Sequence, residues 1–272
     1  MKKTKIDWCD STWNPVTGCL HGCEYCYARR IAERFKGGGY GTQRGMFITK
    51  YKDDAFRPPY ELDQEQIAET KNGWYRTAHY PFGFEPTLHR YRMNEPVYWK
   101  KPSTVFVCSM ADLFGRWVPN GWIQEVFSAC KKAPQHRYLF LTKNPSAYLE
   151  LALEEALPTG DGFWYGSTVT SPDDGYFHAA KRHNIRTFLS IEPLLKPFRK
   201  YQLREETMTD WVIIGAETGN RKGKVVPEKK WVERIVEACR DAEVPVFMKE
   251  SLRELMGEDF VQEFPWEEGV RK

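Results

Sequence analysis

Thr12-Trp13-Asn14-Pro15-Val16-Thr17-Gly18-Cys19-Leu20-His21-Gly22-Cys23-Glu24-Tyr25-Cys26-Tyr27-Ala28 is the stretch from which the rest of the chain is read. Thr12 to Thr17 has the β-branched and aromatic content of a short strand and its exit loop. From Tyr25 the pattern turns helical, with Tyr27, Ile31 and Phe35 four apart on one face, until Gly37-Gly38-Gly39 stops the helix. Between strand and helix lie Cys19, Cys23 and Cys26, spaced C-x3-C-x2-C, with Gly18 and Gly22 supplying the backbone freedom of a tight loop. Three thiolates can hold three irons of a four-iron, four-sulfur cluster. Full ligation takes four cysteines, so one iron is left open to a cofactor or substrate. The alternative is a zinc site, which takes four ligands; the nearest further candidates are Cys9 and His21.

A strand, a loop and a helix make the opening of a βα unit, and the same rhythm returns from Ser103 onward. Apolar runs at Thr104–Met110, Arg137–Thr142, Phe163–Val169, Ile185–Ile191, Trp211–Ala216 and Pro245–Lys249 read as strands. Helical patterns at Pro119–Ala133, Pro145–Leu157 (after Asn144), Pro172–His183 and Pro227–Ala242 separate most of them. Short apolar strands alternating with amphipathic helices predict an α/β fold with a parallel sheet and right-handed crossovers. Six to seven such strands predict a partial (β/α) barrel, a partial TIM barrel, over residues 1–272 as a single domain. Residues 36–102 form a long insertion after the first helix, with one short helix expected at Asp63–Lys71. After Glu250 a short helix and a frayed end are expected.

The formal charge of +3 permits a polyanionic partner without requiring one. Within the insertion, His89-Arg90-Tyr91-Arg92 and Trp99-Lys100-Lys101 interleave rings and cations. That composition suits nucleic acid, through Arg90, Arg92, Lys100 and Lys101, and equally a solvated packed cover. The seven cysteines form no secreted disulfide framework: Cys108, Cys130 and Cys239 fall in apolar patterns and read as buried thiols, and Cys9 could pack or lie near the cluster. The start, MKKTKIDW, has no apolar run, and no stretch reaches transmembrane length, which predicts a cytoplasmic protein.

Chemistry in βα barrels sits at the C-terminal ends of strands. Here the strands end in Ser109 to Asp112, Thr142-Lys143, Ser167 to Thr170, Ser190 to Pro193, Gly215 to Thr218 and Lys249-Glu250. Each is apolar until its exit and polar after it, which together describes a polar cavity facing the cysteines.

The cysteine spacing, with aromatic Tyr25 before its last member, resembles that of the radical S-adenosylmethionine (radical SAM) enzymes. More closely the chain resembles the phage-associated three-Cys-motif family (phage Gp-type). The likeness is carried by Thr12 to Cys19, Cys26-Tyr27-Ala28, Trp99 to Pro102, Ser109 to Phe114, Leu141-Thr142-Lys143, Leu189 to Leu194 and Ile214 to Gly219, spread over nearly the whole chain. The Gly-Gly-Glu that radical SAM enzymes carry after the second strand is absent, and Ser109–Asp112 stands in its place.

The resemblance implies a metal-binding, iron–sulfur protein. A 4Fe-4S cluster on Cys19, Cys23 and Cys26 cleaves S-adenosyl-L-methionine to a 5′-deoxyadenosyl radical, which abstracts hydrogen from a substrate. It also implies an electron donor such as a flavodoxin or ferredoxin and a three-Cys-motif partner protein. Adenosylmethionine then assigns roles to the strand exits: Ser109 and Asp112 to its amino group, Lys143 to its carboxylate, and Thr168, Thr170 and Glu192 to its ribose. Its adenine falls to Tyr25 and the Ile213-Ile214-Gly215 strand edge. Glu217 and Lys249 are left for catalysis on the substrate or for a barrel ion pair. The insertion would face the substrate, of nucleic-acid or nucleotide type. The alternative is a non-catalytic iron–sulfur or zinc protein that binds nucleic acid.

Overall fold

The computed structural model describes residues 4–36, 59–69, 72–174, 185–199 and 209–267. β1 (Ser11–Trp13), β2 (Val16–Thr17) and α1 (Tyr27–Arg34) open the chain. β3 (Tyr60–Leu62), β4 (Ile67–Glu69), β5 (Tyr75–Thr77) and β6 (Thr87–His89) occupy the described part of the insertion. There follow β7 (Thr104–Val107), α2 (Asn120–Lys131), β8 (Arg137–Thr142), α3 (Ser146–Leu153), β9 (Phe163–Thr168) and β10 (Arg186–Ile191). β11 (Val212–Ile214), α4 (Lys229–Asp241), β12 (Val246–Met248) and α5 (Arg253–Met256) complete the set.

Seven strands form one sheet in the order β1-β7-β8-β9-β10-β11-β12, every neighbouring pair parallel. This is the α/β partial barrel that the strand rhythm predicts. The period-2 alternation of each strand sorts its side chains onto two faces. On the convex face, Tyr138, Phe140 and Tyr165 pack with Trp122, Val126 and Phe127 of α2 and Tyr148 of α3. Ile191, Val212, Ile214, Val246 and Met248 pack with Val232, Ile235 and Cys239 of α4. On the concave face, Phe106, Leu139, Trp164, Phe188, Ile213 and Phe247 surround Trp8. Gly166 makes room there: a Cβ on it would stand 2.3 Å from the Phe188 ring. The interior is therefore a packed aromatic plug rather than a pore, and polar side chains are confined to the ends.

Several expectations change. The first strand is broken at Asn14-Pro15, where proline has no N–H for a ladder; β1 joins the barrel, and β2 joins a separate sheet, β2-β6-β3. Asp63–Lys71 is not helical where described: β4 forms an antiparallel hairpin with β5, led by β-branched Ile67. The apolar stripe of α1 is turned outward only in part. Small Ala28 and Ala32 pack against Phe84 and Met110, Ile31 and Phe35 are exposed, and Tyr27, though partly exposed, donates its hydroxyl to Ser109 O at the β7 exit. The tail after α5 is not frayed as far as Glu267. Val261 accepts from the Met248 N–H, Val246 accepts from the Glu263 N–H, and Phe264 and Trp266 pack against the interior plug. The tail thus covers the free edge of β12. Of the helix expected at 172–183, residues 175–183 lie outside the described residues.

Candidate functional site

The cysteine loop hangs between β2 and α1. Gly18 lies at φ +89°, where a Cβ would collide with the Glu85 carbonyl at 2.2 Å, so glycine lets the loop pass that close. The Gly18 N–H donates to Met110 O and the Cys19 N–H to Phe84 O, tying the loop to the β7 exit and to the insertion. Cys26 serves as the N-cap of α1, its Sγ accepting the Arg29 N–H at 3.3 Å. Burial pushes the Cys19 thiol up to about 12, so the apoprotein holds it protonated; a bound metal reverses that order by displacing the proton.

One cavity of about 200 Å³ at the C-terminal ends of the strands collects most of the sequence-predicted residues. Cys19, Cys23, Cys26 and Tyr25 line it from the loop. Ser109, Asp112, Lys143, Thr168, Glu192, Glu217 and Lys249 line it from the exits of β7 to β12. Trp8, Phe106 and Leu141 line it too, adding part of the aromatic plug to its wall.

Asp112 is the hub of this arrangement. Its Oδ1 accepts from Thr142 Oγ1 (2.7 Å) and the Phe114 N–H (3.0 Å). Its Oδ2 accepts from the Lys143 N–H (2.9 Å) and from His21 Nε2 at 2.7 Å. A carboxylate offers about four lone-pair sites, and all are taken. Asp112 is therefore a poor acceptor for an incoming amino group, contrary to its expected role; it holds the cysteine loop through His21. Ser109 keeps acceptor capacity, because its hydroxyl donates to Asn14 Oδ1.

Lys143 sits 5.4 Å over the Tyr25 ring and has no carboxylate partner among the described residues. Burial lowers its pKa from the ordinary lysine value, opposed by Cys23, Asp174 and Asp112. A desolvated, unpaired cation at a cavity wall is suited to receive an anionic group.

Thr170 does not line the cavity: its hydroxyl and N–H donate to Asp174 Oδ2, fixing the loop after β9. Ile214 points to the convex face and is fully buried under α4. Nor is the strand edge there free. Ile214 O accepts from Lys249, and Gly215 donates to Ile191 O and accepts from Leu194. Gly215 matters in another way. Glu192 and Lys249 form an ion pair directly across it, and a Cβ there would stand 3.0 Å from Lys249 Cδ and 3.1 Å from Glu192 Cγ.

Glu217 and Lys249 are both in ion pairs, but with other partners. Arg221 grips Glu217 through Nε (2.6 Å) and Nη2 (2.8 Å), holding its carboxyl below the usual glutamate range, and its Nη1 reaches Glu24 of the cysteine loop at 3.4 Å. Neither the Arg221 partnership, which is made across an irregular loop where i,i+4 spacing has no helical meaning, nor the His21 tether had a sequence signal.

Cys9 does not line this cavity, though it lies within electrostatic reach of Lys249 and Tyr27. It lines a second hollow of about 580 Å³ with Asp10, Arg137 and Trp266, which holds none of the predicted site residues. Two of the cations expected to meet nucleic acid are consumed internally. Arg90 is bound by Glu61, Asp63 and Glu125, and Arg92 donates to Asn14 O, His79 O and the Tyr91 hydroxyl. Lys100 and Lys101 are exposed.

Among the described residues, no three His, Cys, Asp or Glu side chains converge where one metal ion would sit. Three thiols from one loop lining one cavity are the donor set that a cubane, with each thiolate on its own iron, would take.

A family model described as "Protein of unknown function (DUF5131)" matches residues 3–256. The chain belongs to the DUF5131 family. The DUF5131 match runs from the segment ahead of β1 to the end of α5, so it takes in the cysteine loop and every strand exit. No curated protein matches the chain. Among solved structures, a cysteine-to-serine mutant of spore photoproduct lyase matches with a TM-score of 0.48 and 10% identity, over 92% of this chain and 81% of that one. At that score the likeness bears on neither mechanism nor substrate. No helix among the described residues is long and apolar enough to cross a membrane.

Proposed function

We propose that this DUF5131 protein is a radical SAM enzyme in which Cys19, Cys23 and Cys26 hold a 4Fe-4S cluster. The observation that supports it is the membership of one cavity: three free cysteines from one loop, together with polar side chains from the exits of β7 to β12. Cluster and adenosylmethionine, when bound there and reduced by a one-electron donor of the flavodoxin or ferredoxin type, supply a 5′-deoxyadenosyl radical for hydrogen abstraction.

The chain's own residues divide the remaining work. Lys143 takes the cofactor carboxylate, its ammonium having no carboxylate partner among the described residues. Ser109 Oγ accepts from the cofactor amino group, and Thr168 faces the ribose. Asp112 and His21 keep the cysteine loop against the exits of β7 and β8. Trp8, Phe106 and Leu141 exclude water from the floor. Lys249 Nζ, ion-paired with the Glu192 carboxylate at the cavity wall, would pass a proton to or from substrate. Glu217, held by Arg221, anchors the loop after β11, the ion-pair role of the two left open for it.

Anaerobic reconstitution followed by iron and acid-labile sulfide analysis tests the ligand set. The wild-type chain is expected to take up both, and Cys23→Ala to lose most of each. Uptake of zinc without sulfide would overturn the reading.

A further inference from the structure

We infer that the outward face of α1 and the loop after β11 form a binding track for single-stranded nucleic acid, delivering one nucleotide into the cavity. The inference rests on that cavity being the reaction site. α1 starts directly after Cys26, and the β11 loop starts at Glu217 and Thr218, both in the cavity wall, so the two elements flank its mouth.

They meet at Gly219. The Arg30 guanidinium lies 3.1 Å from where a Cβ on Gly219 would stand, and Lys224 Nζ donates to Gly219 O at 3.3 Å. Arg221, two residues on, spans to Glu24. Arg34 and Lys222 add exposed cations on the same two elements. Among the described residues, Arg30, Arg34, Lys222 and Lys224 have no carboxylate partner. The acids nearby are committed: Glu217 and Glu24 to Arg221, and Glu33 to Lys36 and the Phe84 N–H. The patch is therefore cationic on balance, unlike Arg90, whose charge is cancelled by three carboxylates.

Apolar side chains lie between these cations: the Phe35 ring is 45% exposed and aliphatic Ile31 37%, while Tyr27, 43% exposed, leads from them into the cavity, where its hydroxyl donates to Ser109 O. Cations that follow a phosphate backbone, interleaved with rings on which unpaired bases stack, are the features of single-strand recognition. A duplex would leave the rings without partners. An unpaired nucleotide can also leave the strand and enter a cavity that a duplex cannot.

The test is fluorescence anisotropy on the anaerobically reconstituted protein, which needs no turnover and so fails or succeeds apart from the cofactor reading. Probes are a labelled single-stranded oligonucleotide, its duplex, a nucleoside monophosphate as competitor, and poly-glutamate as a non-nucleic polyanion. Single-strand binding is expected to weaken steeply between about 50 and 200 mM salt. Replacing Arg30, Arg34 and Lys222 by serine is expected to reduce the log–log salt slope by about 2, since each phosphate contact on a single strand contributes about 0.7. The loop variant Lys222→Ser with Lys224→Ser, which leaves α1 intact, is expected to reduce it by about 1. Unchanged melting temperatures would show that both variants fold. Absence of single-strand binding, tighter duplex binding, equal binding of poly-glutamate, equally effective competition by the monophosphate, or an unchanged slope in the folded variants would each overturn the inference.

Discussion

His21 Nε2 lies 2.7 Å from Asp112 Oδ2, joining the middle of the cysteine loop to a carboxylate that is already bonded to the exits of β7 and β8. The His21 ring also meets Trp117 edge-on at 4.8 Å, so its orientation is fixed from two sides. Asp112→Asn would turn donors toward donors at a buried position. It is expected to cost about 3 kcal/mol in the apoprotein, by denaturant unfolding, and to lower iron uptake. His21→Ala is expected to cost about 1 kcal/mol and to lower iron uptake to a similar extent. Full iron uptake in both variants would show that the tether does not position the loop.

Lys143 separates fold from ligand binding. Its ammonium is desolvated without a carboxylate partner among the described residues, so Lys143→Met is expected to leave the apoprotein as stable or more so. The same change is expected to weaken adenosylmethionine binding about tenfold or more, the worth of one charge-assisted hydrogen bond. Calorimetric titration beside thermal unfolding checks both at once.

Gly215→Ala tests the packing under the Glu192–Lys249 pair. The new methyl would displace both side chains by a few tenths of an ångström inside the cavity. Since φ at Gly215 is not positive, backbone strain does not enter. Stability is expected to change by about 1 kcal/mol. Turnover is expected to fall well beyond what that change in stability accounts for.

The Glu217–Arg221 pair gives a pH signature. Arg221 lowers the Glu217 pKa in the folded protein. Its contribution is then full above the ordinary glutamate range and is lost as pH falls through the lowered value. Arg221→Gln is expected to melt below wild type at neutral pH, the gap narrowing under about pH 4. A gap independent of pH would mean that the pair is not what holds the loop after β11.

The barrel strands were legible because each is a short β-branched or aromatic run between turn residues, and all seven appear close to where that pattern puts them. The site was legible because each strand changes from apolar to polar at its exit; Lys143, Thr168, Glu192, Glu217 and Lys249 came together on that ground alone. What failed depended on facing and partnership. Ile214 and Gly215 are adjacent in sequence, yet the pleat sends one under α4 and leaves the other against the ion pair. Arg90 looks like a free cation until Glu61 and Glu125, distant in sequence, close around it. The stripe of α1 has helical period, but period does not say which side meets the barrel; Ala28, Ala32 and the Tyr27 hydroxyl take that side, and Ile31 and Phe35 face away from it.

The central claim is tested most directly by the fate of adenosylmethionine on the anaerobically reconstituted, dithionite-reduced protein, followed by chromatography. The expected result is 5′-deoxyadenosine and methionine, formed by wild type and absent with Cys23→Ala. An intact cluster of full iron and sulfide content that yields no 5′-deoxyadenosine, with or without candidate oligonucleotides, would contradict it.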